Sequence, residues 1–234
     1  MTDTIITTWW SAAGGVGKTT LAVAHAQELA KQHKDDVALM DFSEARPDIY
    51  KLLDQAFLDP NKVLNAIENG AIANIKDFMS KKGNMYVFTG IPLEQFEMFQ
   101  EKHFSAIIRS AKENFKHIII DTNAGIFFSA TAAALKASDK INVVLRPDIL
   151  CLEDTATMIN FLSERWGIDI NRFRFNLNRI LPGNLDLETA ERVLGREIIE
   201  ISLKLGKIQM PFKKPKKGFF NFLERSIHNA YKSV

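Results

Sequence analysis

The chain has 234 residues, 46% of them hydrophobic and 25% charged, with a formal net charge of +2, enough for one sizeable core and simplest as a single main domain. Its single cysteine, Cys151, excludes a disulfide framework, a multi-cysteine zinc site and an iron–sulfur cluster held by a cysteine pair. No segment reaches the roughly 18 apolar residues of a membrane span, and Met1 to Thr4 shows no basic region ahead of an apolar run, so a cytoplasmic setting is expected.

In chain order, Thr4 to Trp10 reads as a strand that runs into Ala12-Ala13-Gly14-Gly15-Val16-Gly17-Lys18-Thr19-Thr20. A helical face of Ala22, Ala26, Leu29 and Ala30 follows, and then a second strand, Val37 to Asp41. Residues 55 to 82 read as short helices broken at Asp59-Pro60 and Asn69-Gly70. Further strands are expected at Met85 to Thr89, His117 to Asp121, Ile141 to Leu145 and Arg172 to Asn178. Two helical faces separate them, one of Phe104, Ile107, Ile108, Ala111 and Phe115, the other of Leu152, Ala156, Ile159, Leu162 and Trp166. Such alternation predicts an α/β fold, a mostly parallel twisted sheet with helices on both faces. Residues 1–210 form the expected nucleotide-binding domain, and Met210 to Gly218, with Pro211 and Pro215 among lysines, links it to a separate segment, 211–234.

The glycine-rich stretch carries the chemistry. Glycines at 14, 15 and 17 allow successive backbone N–H groups to converge on one concavity, and a helix N-terminus adds partial positive charge, so an anion belongs there. Lys18 is placed to reach β- and γ-phosphate oxygens, and the Thr19 hydroxyl to ligate a nucleotide-bound magnesium ion. The strict pattern G-x-x-x-x-G-K-[ST] begins with glycine where this chain has Ala12. The plain alternative, a glycine-rich turn that happens to hold a lysine, is disfavoured by the strand before it and the helix after it. Asp41 and Asp121 end predicted strands and would face the crevice where parallel sheets bind ligands. Each could instead cap its own turn; beside a phosphate loop the ligand role is favoured. The expected site therefore has Gly14, Gly15, Val16, Gly17, Lys18, Thr19 and Thr20 around the phosphates, Thr19, Asp41 and Asp121 on magnesium, and Lys18, Asp41 and Asp121 as the catalytic set. Trp9 and Trp10 read as packing residues and Cys151 as buried; His25, His33, His103, His117 and His228 show no metal-ligand spacing.

These residues resemble the deviant phosphate-loop ATPases of the MinD/ParA family over roughly residues 4 to 201. Gly14 to Thr20 matches that family's Gly-Gly-Val-Gly-Lys-Thr-Thr; Asp41-Phe42-Ser43 looks like its first switch and Asp121-Thr122-Asn123-Ala124-Gly125 like its second. Phe175-Asn176-Leu177-Asn178-Arg179 is similar to the family's strand ending in Asn-Arg, which implies an adenine contact for Asn178. Met85 to Phe99 looks most like the pilus-assembly CpaE branch. The resemblance implies ATP and magnesium as ligands and a nucleotide-dependent homodimer. Two departures imply slow hydrolysis: the family's signature lysine would stand at Ala13, and the second aspartate of its first switch at Ser43. Near residues 198–203 the family would place an Ile-Pro pair where this chain has Ile201-Ser202.

Residues 211–234 hold five lysines and one arginine against one glutamate. On a helical wheel Phe219, Phe220, Leu223, Ile227, Ala230, Tyr231 and Val234 form one apolar stripe, preceded by Lys213, Lys214, Lys216 and Lys217. Peripheral attachment at the inner face of the cell membrane through 213–234 is one expectation, similar to the tail of MinD; packing on the domain is another, and DNA binding a lesser third. An ATP-dependent positional switch, governing self-association and attachment to a membrane or an unidentified protein partner, is the leading functional expectation. A nucleotide-holding scaffold with little turnover is the alternative. A metabolic or signalling enzyme of the same family fits less well, since paired cysteines and a tyrosine-rich tail are lacking.

Overall fold

A computed structural model describes residues 4–44, 46–70, 72, 74–178 and 185–200. The expected tail helix, the linker before it, Arg179 and the Ile201-Ser202 pair lie outside the described residues. One eight-stranded sheet has the order β3-β4-β2-β5-β1-β6-β7-β8. Its strands are β1 (Ile5–Ser11), β2 (Val37–Phe42), β3 (Ser80–Lys82), β4 (Met85–Phe88), β5 (His117–Ala124), β6 (Lys140–Leu145), β7 (Phe173–Leu177) and β8 (Ile199–Glu200). All neighbours pair in parallel except β3 with β4. Helices α1 (Lys18–Gln32), α2 (Ile49–Leu53), α3 (Pro60–Glu68), α4 (Glu101–Asn114), α5 (Ser129–Ala137), α6 (Ile149–Trp166) and α7 (Leu187–Leu194) cover the two faces.

Near-continuous apolar strands are what a parallel sheet buried on both sides requires, and they divide their side chains between two layers. Odd-numbered residues of the central strands, among them Trp9, Leu39 and Ile119, pack with Leu21, Ala22 and Ala26 of α1 and Ile49 and Leu53 of α2. Even-numbered Ile6, Met40 and Ile120 face Val63 and Leu64 of α3, Phe104 and Ile107 of α4 and Ala133 of α5. On that same side Trp10, Val143 and Phe175 pack with Leu152 and Ile159 of α6 and Ala190 of α7. All five apolar residues assigned to the α4 face are buried, as are Leu152, Ile159 and Leu162 of α6.

Local sequence sets most helix ends. Asp59 caps α3 through the Asn61 N–H at 3.0 Å with Pro60 in the first turn, so the expected break there is a helix start. Asp148 and Asp186 cap α6 and α7 through Cys151 N–H and Thr189 N–H. Helix α5 differs: its N-cap position is Phe128, which has no side chain to offer.

Three features differ from the sequence expectation. β3 is a three-residue, largely charged strand joined to β4 through Gly83, too short and polar to show an alternating pattern. β8 is a two-residue strand paired with β7. β5 continues to Ala124, so Asp121 stands inside a strand rather than at its end. The reason is tertiary: β1 keeps pairing with β5 past a bulge between Trp9 and Ser11, as far as Ser11 with Ala124. No helix of the described residues is long and apolar enough to cross a membrane.

Candidate nucleotide site

The turn between β1 and α1 places Gly17 at the N-cap of α1 with φ of 100°, a backbone conformation that disfavours any side chain. A Cβ on Gly17 would also lie 2.5 Å from Asn178 Nδ2, whereas one on Gly14 or Gly15 would meet nothing within 4 Å. The loop is thus clamped on one side and open on the other. The clamp is a hydrogen bond, Asn178 Nδ2 donating to the Val16 carbonyl at 2.7 Å, from a residue that is buried and tied by its own N–H to Leu145 O at 2.9 Å. Asn178, expected from the resemblance to contact adenine, therefore reaches the phosphate loop itself.

Lys18 is the first residue of α1, and its side chain is buried rather than splayed into solvent. Its ammonium donates to Ser11 Oγ at 3.1 Å, and Ser11 in turn donates to the Ala13 carbonyl. Burial pulls the Lys18 pKa down, and the neighbouring Asp121 and Cys151 oppose that shift. An ammonium held at the mouth of an amide-lined loop at a helix N-terminus is an anion site in its chemistry. Cys151 itself is buried, as expected from the sequence, with its thiol pKa raised by burial and its sulfur accepting from the Arg146 N–H.

Asp41 and Asp121 stand opposite each other in the β2–β5 register, on the sheet face that carries α1. Their surroundings differ sharply. Asp41 Oδ1 accepts the Ser43 N–H at 3.0 Å, and Oδ2 accepts those of Asp48 and Ile49 at 2.8 and 2.9 Å. This carboxylate ties its own loop to the start of α2. Among the described residues neither oxygen of Asp121 has a partner in hydrogen-bond geometry, although the residue is fully buried and the Thr19 hydroxyl stands near it. Burial, reinforced by the Asp41 charge, pushes the Asp121 pKa up to about 8; the Thr19 hydroxyl and Lys18 pull the other way. For Asp41 burial raises the pKa to about 6 against the pull of its three N–H donors.

An orphaned buried carboxyl is costly unless something completes it. Asp121 beside the Thr19 hydroxyl offers hard oxygens, which suit a magnesium ion that keeps several waters and takes its remaining ligands from phosphates. No group of three or more His, Cys, Asp or Glu is arranged for a metal among the described residues.

Several participants carried no motif. Ser11 was hidden because it precedes the glycine-rich pattern. Trp10 Nε1 donates to the Gly125 carbonyl at 2.7 Å, and Ser11 O accepts the Gly125 N–H at 2.9 Å, so β1 holds the loop after β5 from both sides. Glu44 is buried; its carboxylate accepts the Ala130 N–H, and Asn123 brackets its backbone. The uncapped start of α5 was the one legible hint that a distant carboxylate was needed.

Residues 4–171 match the family model for an AAA domain. The septum site-determining protein MinD of Thermotoga maritima is 30% identical over 182 residues, 74% of this chain and 63% of that protein, so the chain spans less than two thirds of the relative's length. Among solved structures, a ParA family ATPase from Chlorobium tepidum superposes with a TM-score of 0.74 at 20% identity, covering 86% of this chain and 84% of that one. MinD from Pyrococcus horikoshii, complexed with Mg-ADP, gives 0.67 at 22% identity, covering 85% and 81%. At such identities the two structures establish the fold. With the family match over most of its length, the chain belongs to the family of AAA domains, and its fold is the one the ParA and MinD structures share.

Proposed function

We propose that this protein is an ATP- and magnesium-binding switch of the MinD/ParA kind, whose nucleotide state governs self-association and attachment to a partner or a membrane surface. The observation that carries it is the pairing of a buried Lys18 at an open glycine loop with a buried Asp121 carboxyl that has no partner. Both are costly in isolation and both are answered by a magnesium-bound triphosphate. The loop N–H groups of residues 14–19 and the Lys18 ammonium would bind and orient the phosphates; Thr19 and Asp121 would hold the magnesium ion, directly or through water. Bound magnesium supplies charge neutralisation at the phosphate oxygens. The loops after Asp41 and Asp121 then adopt the arrangement that a partner reads. That a MinD structure was solved with Mg-ADP supports the choice of ligand.

Turnover is slow in this reading. Ala13 offers no cation and Ser43 no carboxylate, and Asp41 already accepts three backbone N–H groups. Loss of one transition-state cation alone costs roughly three to five decades in related phosphoryl transfers. A scaffold that holds nucleotide without appreciable turnover is the second reading, favoured by the three backbone N–H groups that commit Asp41 to its own loop.

Calorimetric titration of ATP with magnesium into the full chain tests the proposal. Binding that Lys18→Ala weakens by about 10- to 100-fold supports it, and absence of binding by the native chain refutes it. Phosphate release then separates switch from scaffold. Sedimentation with anionic liposomes, comparing the full chain with one ending at Met210, tests membrane attachment through 213–234; ATP-dependent pelleting lost on truncation is the expected result.

A further inference from the structure

We propose that Glu44 is a positioning residue that ties the loop after β2 to the loop after β5, so that a ligand ordering one loop orders the other. The inference rests on the nucleotide reading for its consequence, but the tie itself is a feature of the chain alone.

Parallel pairing of β2 and β5 ends with Phe42 opposite Thr122. One residue further on, the Asn123 carboxamide takes over from the backbone ladder. Its Oδ1 accepts the Glu44 N–H at 2.7 Å, and its Nδ2 donates to the Glu44 carbonyl at 3.3 Å. Glu44 is thereby held by both of its backbone groups, and its side chain is directed to a helix end that needs it. The first turn of α5 has Phe128 at its N-cap and no acidic residue of its own. The Glu44 carboxylate, 86 residues earlier in the chain, accepts the Ala130 N–H there, at 7% exposure for the residue. A carboxylate at a helix N-terminus satisfies an orphan donor and meets the positive end of the helix dipole.

The consequence is mechanical. The β2 loop is fixed at its near end by Asp41, which accepts from Ser43, Asp48 and Ile49, and at its far side by Pro47, whose Cβ lies so close to Gly90 that a side chain there would sit 2.6 Å from it. The β5 loop is fixed by Trp10 and Ser11 at Gly125. Glu44 bridges the β2 loop to the two ends of the β5 loop, to Asn123 at the end of β5 and to Ala130 at the start of α5. Displacing the β2 loop away from these ends breaks three hydrogen bonds, one of them charge-assisted, and leaves a buried carboxylate unpaired.

Hydrogen–deuterium exchange on the full chain tests the tie. Without nucleotide, Glu44→Ala is expected to speed exchange of peptides covering residues 123–133 by about tenfold, the loss of one helix cap, and Glu44→Gln, which retains an acceptor oxygen, by less. Lys18→Ala, which removes the phosphate contact and leaves the bridge intact, is expected to exchange as native does in that region. Native-like exchange of residues 123–133 in Glu44→Ala overturns the tie. With ATP and magnesium, protection is expected in both 42–49 and 123–133 of the native chain but in only one of them in Glu44→Ala. Joint protection in that variant overturns the coupling. A native chain that gains no protection refutes the nucleotide reading instead, and the ligand-free comparison still decides the tie.

Discussion

Asp41 and Asp121 occupy one register position on adjacent parallel strands, and the fold treats them in opposite ways: Asp41 accepts three backbone N–H groups, and Asp121 accepts none among the described residues. Like charges this close, both withdrawn from water, disfavour double ionisation. Burial and the neighbouring charge therefore push both carboxyls towards their protonated forms, Asp121 more than Asp41.

Stability of the nucleotide-free protein should fall as pH rises through the neutral range. The folded pKa of Asp121, about 8, lies above the ordinary carboxyl value of 3.8, so the folded state binds more protons than the unfolded state between those limits and loses stability as they are crossed. Asp41, raised to about 6, adds to the lower part of the same window. Asp121→Asn removes the titration. Thermal unfolding at about pH 6 and about pH 8.5 should show a native Tm lower at the higher pH. The variant's difference should be smaller by at least about 2–4 °C, the equivalent of roughly 1 kcal/mol in a chain of this size. Equal slopes in the two proteins would contradict the assignment.

Lys18→Ala should weaken ATP binding by about 10- to 100-fold, the value of a hydrogen bond to a charged group, while leaving the fold intact. Its ammonium is held by one Ser11 hydroxyl at 3.1 Å and is disfavoured by burial, so its removal costs the empty protein little. A Tm drop as large as the affinity loss would show that Lys18 acts in folding rather than in binding.

Gly17 and Asn178 should behave as one unit. Gly17→Ala places a Cβ in the 2.5 Å gap to Asn178 Nδ2 at a φ of 100°, a strain of about 1–3 kcal/mol. Asn178→Ala removes the bond to Val16 O and opens that gap, at about 1 kcal/mol. Denaturant unfolding of the double variant should show a cost below the sum of the singles by at least about 0.5 kcal/mol. Strict additivity would mean that the loop yields on its own.

Trp10→Phe retains the apolar ring in its buried layer and deletes the donor to Gly125 O. The expected cost is about 1–2 kcal/mol, from a lost hydrogen bond and an orphaned carbonyl. Urea midpoints check the stability, and exchange at Gly125 to Phe128 should rise more than exchange in β7. Uniform acceleration across the sheet would mark the effect as global packing.

The order of strands and helices, the phosphate loop with Lys18 and Thr19, and the buried faces of α4 and α6 follow from local pattern, because hydrophobic periodicity and a contiguous motif are properties of neighbouring residues. Which carboxylate stays bare did not follow. Asp41 and Asp121 look alike in sequence, each after an apolar run, and only the path of residues 43–49 turns three N–H groups onto one of them. Neither β3 nor β8 announced itself, since strands of three and two residues exist by pairing with a formed neighbour. Asn178 meets Val16 across 162 positions and Glu44 meets Ala130 across 86. The sequence by itself determined the fold class and the glycine-rich loop with its lysine, since a contiguous motif between a strand and a helix is a property of neighbouring residues. The tertiary structure alone decided which residues clamp, cap and bridge that loop, since a hydrogen bond between distant positions exists only once packing has brought them together.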